Sequence, residues 1–392
     1  MWLASSHRRD EISRMAKHSP LSKLLCDLVS IPSINPSLDH DNLGCAEEPV
    51  TAFLEELSQK AGLRTNRQKV IPGRDNLIVR LSPMKKAKQR IFLAPHLDVV
   101  PASLDAFSPK ISKGRLYGRG ACDTKASVAC FFQALLDLSL STNRPAQTEI
   151  VFVGLVDEEF SQSGSRALAR KGPMGNLAIV GEPTGLQVVT AHKGSLWLQL
   201  ETHGKAAHGS TPEKGENAIL EMHHALDILF NEYSVLLRSK NHPLLGSPTL
   251  SVGKILGGSQ PNVVPNRCTV DLDRRTIPGE GIDTVITELK DLFQSLGKKA
   301  PKIKVSRRVP CPPLHTDSSM PYVQMLLNKA RRRKTCGVPY FTDASPLSAG
   351  GTPSVVFGPG NIAQAHAENE WVDLNQVERA HSTILNFLKE LP

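Results

Sequence analysis

Short apolar runs recur along the chain and predict the strands of a buried sheet. They lie at residues 91–94, 150–156, 177–180 and 353–356, and polar, proline or glycine residues bound each one. Continuous apolar runs of this length are typical of strands that are covered on both faces. Residues 124–138 instead have the apolar spacing of a helix that packs on a sheet. The alternation predicts an α/β fold with a mixed, largely parallel sheet.

Further elements precede and separate these strands. Residues 19–33 have the pattern of an amphipathic helix that Pro32 ends. Residues 48–61 predict a second helix, which Gly62 is placed to cap. A strand is expected near residues 76–81. We expect all of these elements to share a domain with the buried sheet.

The pattern changes over residues 193–308. Alternating strands are here joined by two helices, near residues 217–237 and 282–296. This order is typical of a small antiparallel α+β unit of ferredoxin-like type. Because strand-end acidic residues and histidines occur on both sides of it, we expect the unit to be inserted into a larger domain formed by residues 19–192 and 309–392.

The composition indicates a soluble protein with reduced thiols. No stretch of the 392 residues approaches the roughly 20 apolar residues that a membrane helix needs. Seven cysteines without a CxxC pair are typical of a cytoplasmic protein. Residues 1–18 lack the apolar core of a secretory signal, and we expect them to form a mobile extension. We therefore expect a cytoplasmic protein without a membrane partner.

The formal net charge of +9 raises the question of a nucleic-acid partner. Basic residues are dense only at residues 331–334 and around residues 85–86. Neither cluster is interleaved with the aromatic side chains on which single-stranded nucleic acids stack. We therefore expect a solvated basic surface and no nucleic-acid partner, although such a surface favours the approach of an anionic small molecule.

Acidic residues and histidines follow the predicted strands, again and again. In open α/β sheets, ligands bind outside the carboxyl ends of the strands. Residues two apart in an extended segment point the same way, so His96 and Asp98 can face one site. The residues expected at this edge are His96, Asp98, Asp123, Glu158, Glu159, Glu182 and His366. So many acidic groups in one place require a cation.

Two divalent metal ions that share a bridging carboxylate would use five of these residues as ligands. One ion would take His96 and Glu182. The other would take Glu159 and His366, with Asp123 bridging the two. Imidazole and carboxylate ligands without a thiolate suit zinc, with cobalt or manganese as substitutes.

Two residues of the set remain for catalysis. Glu158, beside a ligand but not needed as one, can take a proton from the water between the ions as a general base. Asp98 can orient His96 through the other ring nitrogen of that histidine. The alternative for Glu158 and Glu159 is a solvated acidic turn, which the apolar strand before them disfavours.

Five ordered motifs carry a resemblance to a known family. HLDVVP, GRGACDTKAS, VDEE, GEPT and the late GPG…AH resemble the dinuclear zinc amidohydrolases, which include acetylornithine deacetylase, succinyl-diaminopimelate desuccinylase, aminoacylase and carboxypeptidase G. The resemblance spans nearly all of residues 20–392. It implies a zinc-peptidase-like catalytic domain with an inserted dimerisation, or lid, domain. It also implies that Glu158 is the base and Glu159 a ligand.

Within this family, the runs GEPTGLQVVTAHKG, PTLSVGKI and GPGNIAQAHAENEWV are most similar to the deacetylase branch. The segment FTDASPLSAGG departs from it, because that branch usually has a glutamate where this chain has Asp343. The resemblance further implies that His208 reaches across a homodimer to stabilise the oxyanion. It implies that Arg275 meets the substrate carboxylate and that Asn262 donates a hydrogen bond to the substrate.

The resemblance therefore implies a metal-dependent hydrolase of N-acyl amino acids. The expected reaction converts N2-acetyl-L-ornithine into L-ornithine and acetate, a step of arginine biosynthesis. Alternatives within the family act on N-succinyl-diaminopimelate, N-acetyl-lysine, N-acetyl-citrulline or a dipeptide. From a different class, a noncatalytic binding protein on a degenerate hydrolase fold would have lost the base or several ligands, and the sequence retains all of them.

Overall fold

The computed structural model describes residues 19–41, 43–306 and 309–392. The predicted mobile extension, residues 1–18, lies outside these ranges. All seven cysteines lie within them, and each is a free thiol. None of the helices formed by the described residues is long and apolar enough to cross a membrane.

The chain folds as two compact units. The first comprises the described parts of residues 1–190, 316–336 and 342–392, and the second comprises those of residues 191–315 and 337–341. The segment predicted as an insertion, residues 193–308, falls within the second unit, which also takes a short stretch of chain beyond it.

The described residues form sixteen strands and ten α-helices. The first eight strands are β1 Arg64–Ile71, β2 Arg74–Leu81, β3 Gln89–Pro95, β4 Lys110–Ser112, β5 Arg115–Tyr117, β6 Thr148–Gly154, β7 Leu177–Gly181 and β8 Val189–His192. The others are β9 Gly194–His203, β10 Thr249–Gly257, β11 Arg267–Thr276, β12 Lys302–Val305, β13 Leu314–His315, β14 Cys336–Val338, β15 Ser354–Val356 and β16 Trp371–Asp373. The helices are α1 Pro20–Val29, α2 Glu48–Lys60, α3 Lys125–Leu140, α4 Ser163–Lys171, α5 Ala218–Ile228, α6 Ser234–Ser239, α7 Ile282–Leu292, α8 Pro321–Lys329, α9 Ala344–Ala349 and α10 Leu374–Glu390.

The large sheet has the strand order β1-β2-β6-β3-β7-β15-β8-β13, with β14 beside β8. The pairings β6/β3, β3/β7 and β7/β15 are parallel. The pairings β1/β2 and β2/β6 are antiparallel. The pairings β15/β8 and β8/β13 are antiparallel as well. The mixed sheet expected from the sequence is thus confirmed, and parallel pairing is confined to its central group of four strands.

These central strands are apolar because both faces of the sheet are covered. Every residue of β7 is buried, as are the last five residues of β3. Helix α3 packs on one face, where Phe132 meets Phe152 of β6 edge to face with ring centroids 5.3 Å apart. Burial of each such ring contributes roughly 1.5–3 kcal/mol. This core holds the carboxyl ends of the strands at fixed positions.

The loops that leave those carboxyl ends carry the predicted site. His96 directly follows β3 and forms a parallel bridge with Leu155. Glu182 directly follows β7, and Glu158 lies four residues beyond the end of β6. The loop after β15 contains His366. Parallel strands end at one edge of a sheet, so the topology gathers these loops.

A small three-stranded sheet, β4-β5-β16, lies outside the predicted elements. Its pairing of Trp371 with Tyr117 joins the chain before β16 to the loop that precedes α3. Arg115 stacks on the Trp371 ring at 3.8 Å. The sheet therefore connects two segments that both carry predicted ligands.

The second unit has the order β9-α5-α6-β10-β11-α7-β12 and one antiparallel sheet, β10-β11-β9-β12. A π-helical turn, Leu229–Tyr233, joins α5 to α6. The apolar side of this sheet forms a core of its own with Met222 of α5 and Val285 of α7. This β-α-β-β-α-β order is that of the ferredoxin-like pattern expected from the sequence.

Candidate metal centre

The two oxygens of Asp123 face two histidines. Its Oδ1 lies 3.2 Å from Nε2 of His96, and its Oδ2 lies 3.4 Å from Nε2 of His366. Asp123 sits in the loop that opens α3, whereas His96 follows β3. A carboxylate with one oxygen toward each imidazole has the arrangement of a bridging ligand.

A second carboxylate accompanies each histidine. Oε1 of Glu182 is 3.8 Å from Nε2 of His96, and Oε2 of Glu159 is 3.2 Å from Nε2 of His366. Ligand atoms of His96, Asp123 and Glu159 all lie within 4.8 Å of one another, and so do those of a group that adds Glu158 to His96 and Glu182. The structure thus brings all five predicted ligands and the predicted base together.

The charges in this cluster are strongly perturbed. Burial raises the pKa of Glu158 and of Glu182 well above the usual range of a carboxyl group, more than the nearby His96 lowers it. Hydrogen bonds to Asp123 and Glu159 raise the pKa of His366 to about 10. Carboxylates that repel one another and imidazoles that are drawn into protonation indicate a site that favours positive charge.

The residues fit a divalent cation. Oε1 of Glu159 is buried and has no hydrogen-bond partner among the described residues. An unpaired buried carboxylate oxygen is costly, and a bound cation would remove that cost. The ligand set consists of imidazole nitrogens and carboxylate oxygens, which suits zinc and other first-row ions.

The Nδ1 side of the His96 ring faces Asp98. Its Nδ1 lies 2.9 Å from the backbone carbonyl oxygen of Asp98 but 3.5 Å from the Asp98 carboxylate. Because a carbonyl only accepts, Nδ1 carries a proton, and Nε2 is the ring nitrogen that would be available to a metal ion. The orientation of His96 thus depends on the backbone at residue 98.

The carboxylate of Asp98 also accepts hydrogen bonds from the backbone of the two glutamates. Its Oδ1 accepts the backbone N–H of Glu158 at 3.1 Å, and its Oδ2 accepts that of Glu159 at 3.0 Å. The amide of Asn35 donates to the same Oδ2 at 2.7 Å. Asp98 therefore positions the turn that carries both the predicted base and a predicted ligand.

A buried ion-pair network of Arg74, Glu47 and Asp157 packs against the turn that carries Glu158 and Glu159. Arg74 donates to Glu47 at 2.5 and 2.8 Å and lies 3.1 Å from Asp157. Asn35 also donates to Asp157 at 3.1 Å, which joins the network to Asp98. Sequence reasoning did not identify Asn35, Glu47 or Arg74, because they lie in a loop, before a helix and at the start of a strand, far from the acidic turn in sequence.

Asp343 is fully enclosed in the first unit, at the N-terminus of α9. The hydroxyl of Ser165 donates to its Oδ1 at 2.5 Å, and its Oδ2 has no hydrogen-bond partner among the described residues. Burial raises the pKa of Asp343 to about 7, although the bond from Ser165 opposes the shift. The residue at which the sequence departs from the deacetylase branch is therefore a buried group of the first unit.

The other predicted substrate residues lie in the second unit. His208 forms an antiparallel bridge with Val263, and its Nδ1 lies 2.7 Å from the Ser210 hydroxyl. The carbonyl of Asn262 accepts the N–H of Gly209 at 2.7 Å, so the loops of His208 and Asn262 are neighbours.

Arg275 lies on β11 and pairs with Asp273. Its Nη2 is 3.0 Å from Oδ2 of Asp273, and its guanidinium lies 5.6 Å from the centroid of the Phe341 ring. Its neighbour in sequence, Arg274, is instead fully buried and donates to Glu280 at 2.6 Å. Of the two arginines, only Arg275 has solvent access.

Comparisons with known proteins agree with this architecture. Residues 92–390 match the model of peptidase family M20/M25/M40. The acetylornithine deacetylase of Myxococcus xanthus is 30% identical over 352 residues, which cover 86% of this chain and 90% of that protein.

Solved structures agree in fold. The chain superposes on aminopeptidase PepT of Bacillus cereus with a TM-score of 0.77 and 19% identity, covering 94% of this chain and 97% of the other. The Bacillus subtilis YXEP protein, described as a dinuclear metal binding peptidase, gives a TM-score of 0.69 and 13% identity, with coverage of 94% and 96%. The chain belongs to peptidase family M20/M25/M40 and is a metal-dependent hydrolase.

Proposed function

We propose that the protein hydrolyses N2-acetyl-L-ornithine to L-ornithine and acetate, a reaction of arginine biosynthesis. The observation that carries the proposal is the cluster around Asp123, which brings together the residues that the resemblance implies as ligands and base. The choice of substrate rests on the relative named acetylornithine deacetylase and on the motifs shared with that branch.

We propose that the site holds two divalent ions, zinc by preference and cobalt as a substitute. His96 and Glu182 would hold one, Glu159 and His366 the other, and Asp123 both. The neighbour described as binding two metals supports this assignment. When bound, such ions lower the pKa of water and polarise the scissile carbonyl.

Glu158 is the proposed general base. Its carboxylate takes the proton of the attacking water and returns it to the leaving amine. Burial raises the pKa of Glu158 in the metal-free site. Asp98 fixes the backbone from which Glu158 projects, so the base keeps one position through both proton transfers.

The second unit supplies the proposed substrate contacts. His208 would stabilise the oxyanion from the partner copy of a homodimer. Arg275 would bind the substrate carboxylate, for which a bidentate guanidinium is suited. Asn262 would donate a further hydrogen bond. Each role is assigned by the family resemblance and can be tested by substituting the residue.

Other substrates of the family are the alternatives: N-succinyl-diaminopimelate, N-acetyl-lysine, N-acetyl-citrulline and dipeptides. They differ from N2-acetyl-ornithine in the acyl group or the side chain, while the mechanism is shared. Because one protein of similar fold is named as an aminopeptidase, peptides are included among the compounds to be tested.

The test is a substrate panel with metal-free protein reconstituted with Zn²⁺ or Co²⁺. The expected result is metal-dependent release of acetate from N2-acetyl-L-ornithine, at least tenfold faster in kcat/KM than any other compound. A preference for another compound would replace the pathway and keep the mechanism. Activity on none of the compounds would favour the alternative hypothesis of a noncatalytic binding protein.

Substitutions separate the contacts. Arg275→Lys should raise KM for the acetylated amino acid more than it lowers kcat, since the charge stays and the planar fork is lost. His208→Ala should lower kcat. Arg274→Lys is the matched control for Arg275, because Arg274 is enclosed by Tyr233 and Glu280 and is expected to affect stability.

A further inference from the structure

Glu370 is a buried carboxylate that the reaction outlined above does not use. Only 2% of its surface is exposed, and it lies just before β16, four residues after His366. We propose that Glu370 is a positioning residue: it holds the loop of Asp123 so that the two oxygens of that carboxylate point toward two different histidines, and it thereby sets the affinity of the site for metal ions.

Each oxygen of Glu370 accepts two hydrogen bonds from that loop. Oε1 accepts the backbone N–H groups of Cys122 at 2.8 Å and Asp123 at 2.9 Å. Oε2 accepts the N–H of Gly120 at 2.9 Å and Nη1 of Arg119 at 2.7 Å. A single side chain thus satisfies three buried backbone donors within four residues, which would otherwise cost free energy in this enclosed loop.

The loop needs such an anchor because no regular element contains it. Gly118 and Gly120 both have positive φ, at 153° and 80°, and α3 begins only at Lys125. The N–H of Asp123 is the last donor to Glu370 before the helix starts. Fixing that N–H fixes the Cα from which the carboxylate projects.

Glu370 is itself placed by two contacts with the strand that precedes the loop. Its carbonyl accepts the N–H of Gly118 at 3.0 Å. Its neighbour Trp371 pairs with Tyr117 across the small sheet. The same short segment therefore carries His366 and holds the loop of Asp123 by hydrogen bonds. Its position thus also affects the distance between His366 and Asp123.

A neutral isostere cannot do this. In Glu370→Gln, one of the two oxygens becomes an NH₂ group, and either orientation sets that group against two donors. The variant keeps the size of the side chain and loses two acceptor bonds together with the charge that Arg119 requires. We expect the Asp123 loop to relax.

The test measures metal binding without substrate, so its outcome is independent of which acyl amino acid the enzyme uses. Metal-free protein is titrated with Co²⁺, and the visible absorption of the bound ion gives both affinity and ligand geometry. Glu370→Gln should weaken Co²⁺ binding by about 10–100-fold, the range for residues that orient ligands, and should change the absorption spectrum.

The matched control is Arg119→Gln, which removes the ion pair but leaves the three backbone bonds to Glu370 intact. It should keep the Co²⁺ spectrum and an affinity within about threefold of the original, although its unfolding temperature should fall because a buried ion pair loses one partner. Equal losses in the two variants, or an unchanged spectrum in Glu370→Gln, would overturn the proposal.

A further variant decides the case if Glu370→Gln does not fold. Glu370→Asp keeps the charge but is one methylene shorter, so its carboxylate cannot reach all four donors. The expected result is a folded protein with weakened Co²⁺ binding and an altered spectrum. Wild-type affinity and spectrum in this variant would refute a positioning role.

Discussion

The backbone N–H of Glu158 donates a 3.1 Å hydrogen bond to the carboxylate of Asp98. The two residues thus act as one assembly, in which the aspartate holds the main chain and the glutamate presents its side chain to the metal cluster. Substitutions of the two residues should therefore have different effects: loss of proton transfer at Glu158, and displacement of the backbone at Asp98.

Replacement of the base should strongly lower kcat and leave metal binding nearly unchanged. Glu158→Ala and Glu158→Gln are expected to lower kcat by about 10²–10⁴-fold, since general-base catalysis supplies that factor. Metal content, measured by elemental analysis after dialysis, should stay near that of the original protein. A variant with near-normal kcat would remove Glu158 from this role.

Replacement of Asp98 should act through the backbone. In Asp98→Asn, one oxygen becomes an NH₂ group and faces an N–H of Glu158 or Glu159. We expect kcat/KM to fall by about 10–100-fold, with a smaller loss for Asn35→Ala, which removes only one donor to Asp98. If Asn35→Ala were the more harmful, the Asp98 carboxylate would not be the organising group.

Metal affinity should rise with pH. In metal-free protein, the pKa of His366 is raised to about 10, because its ring bonds to Asp123 and Glu159. At neutral pH the ring is therefore protonated, and an ion must displace the proton to bind. Co²⁺ affinity should increase at least tenfold per pH unit between pH 6 and 8. In His366→Ala one proton fewer is released on binding, so the slope of log affinity against pH should fall by about one. Equal affinity at pH 6 and 8 would contradict this.

The stability of metal-free protein, in contrast to its metal affinity, should fall as the pH rises, because Asp343 is buried. Burial raises its pKa from 3.8 to about 7. The stability it permits is therefore fully present below pH 3.8 and is lost as the pH rises through about 7, because the unfolded chain ionises first.

Asp343→Asn removes this loss and keeps an acceptor for Ser165. The variant should be more stable to urea at pH 8 by roughly 1–4 kcal/mol, and no more stable at pH 4. Ser165→Ala is the control, since loss of its hydroxyl should destabilise the protein at pH 8. A destabilised Asp343→Asn at pH 8 would show that the charged form is favoured.

The central strands and the edge to which they lead were predictable from the sequence. Continuous apolar runs such as those of β6 and β7 are typical of strands that are covered on both faces, and their carboxyl ends meet wherever the strands are parallel. His96 and Glu182, each next to a strand end, were therefore found without tertiary information.

The supporting residues were not predictable, for a physical reason. Asn35 and Glu370 lie in loops whose positions depend on packing over the whole unit, and a lone polar residue in a loop carries no periodic signal. Strand β1, RTNRQKVI, was missed because it is a polar edge strand with no fully buried residue. Polar edges of this kind protect a sheet from pairing with other chains and hide the strand from hydrophobic patterns.

The small sheet β4-β5-β16 has a consequence for the order of events in folding. Asp123 and Glu370 are 247 residues apart in the chain, and the whole second unit lies between them. Closing so long a loop is slow, and its entropy is repaid only by the contacts that form last. During synthesis the acidic cluster therefore stays incomplete until residues 366–370 have emerged, so we expect metal ions to bind only after both parts of the first unit have been made.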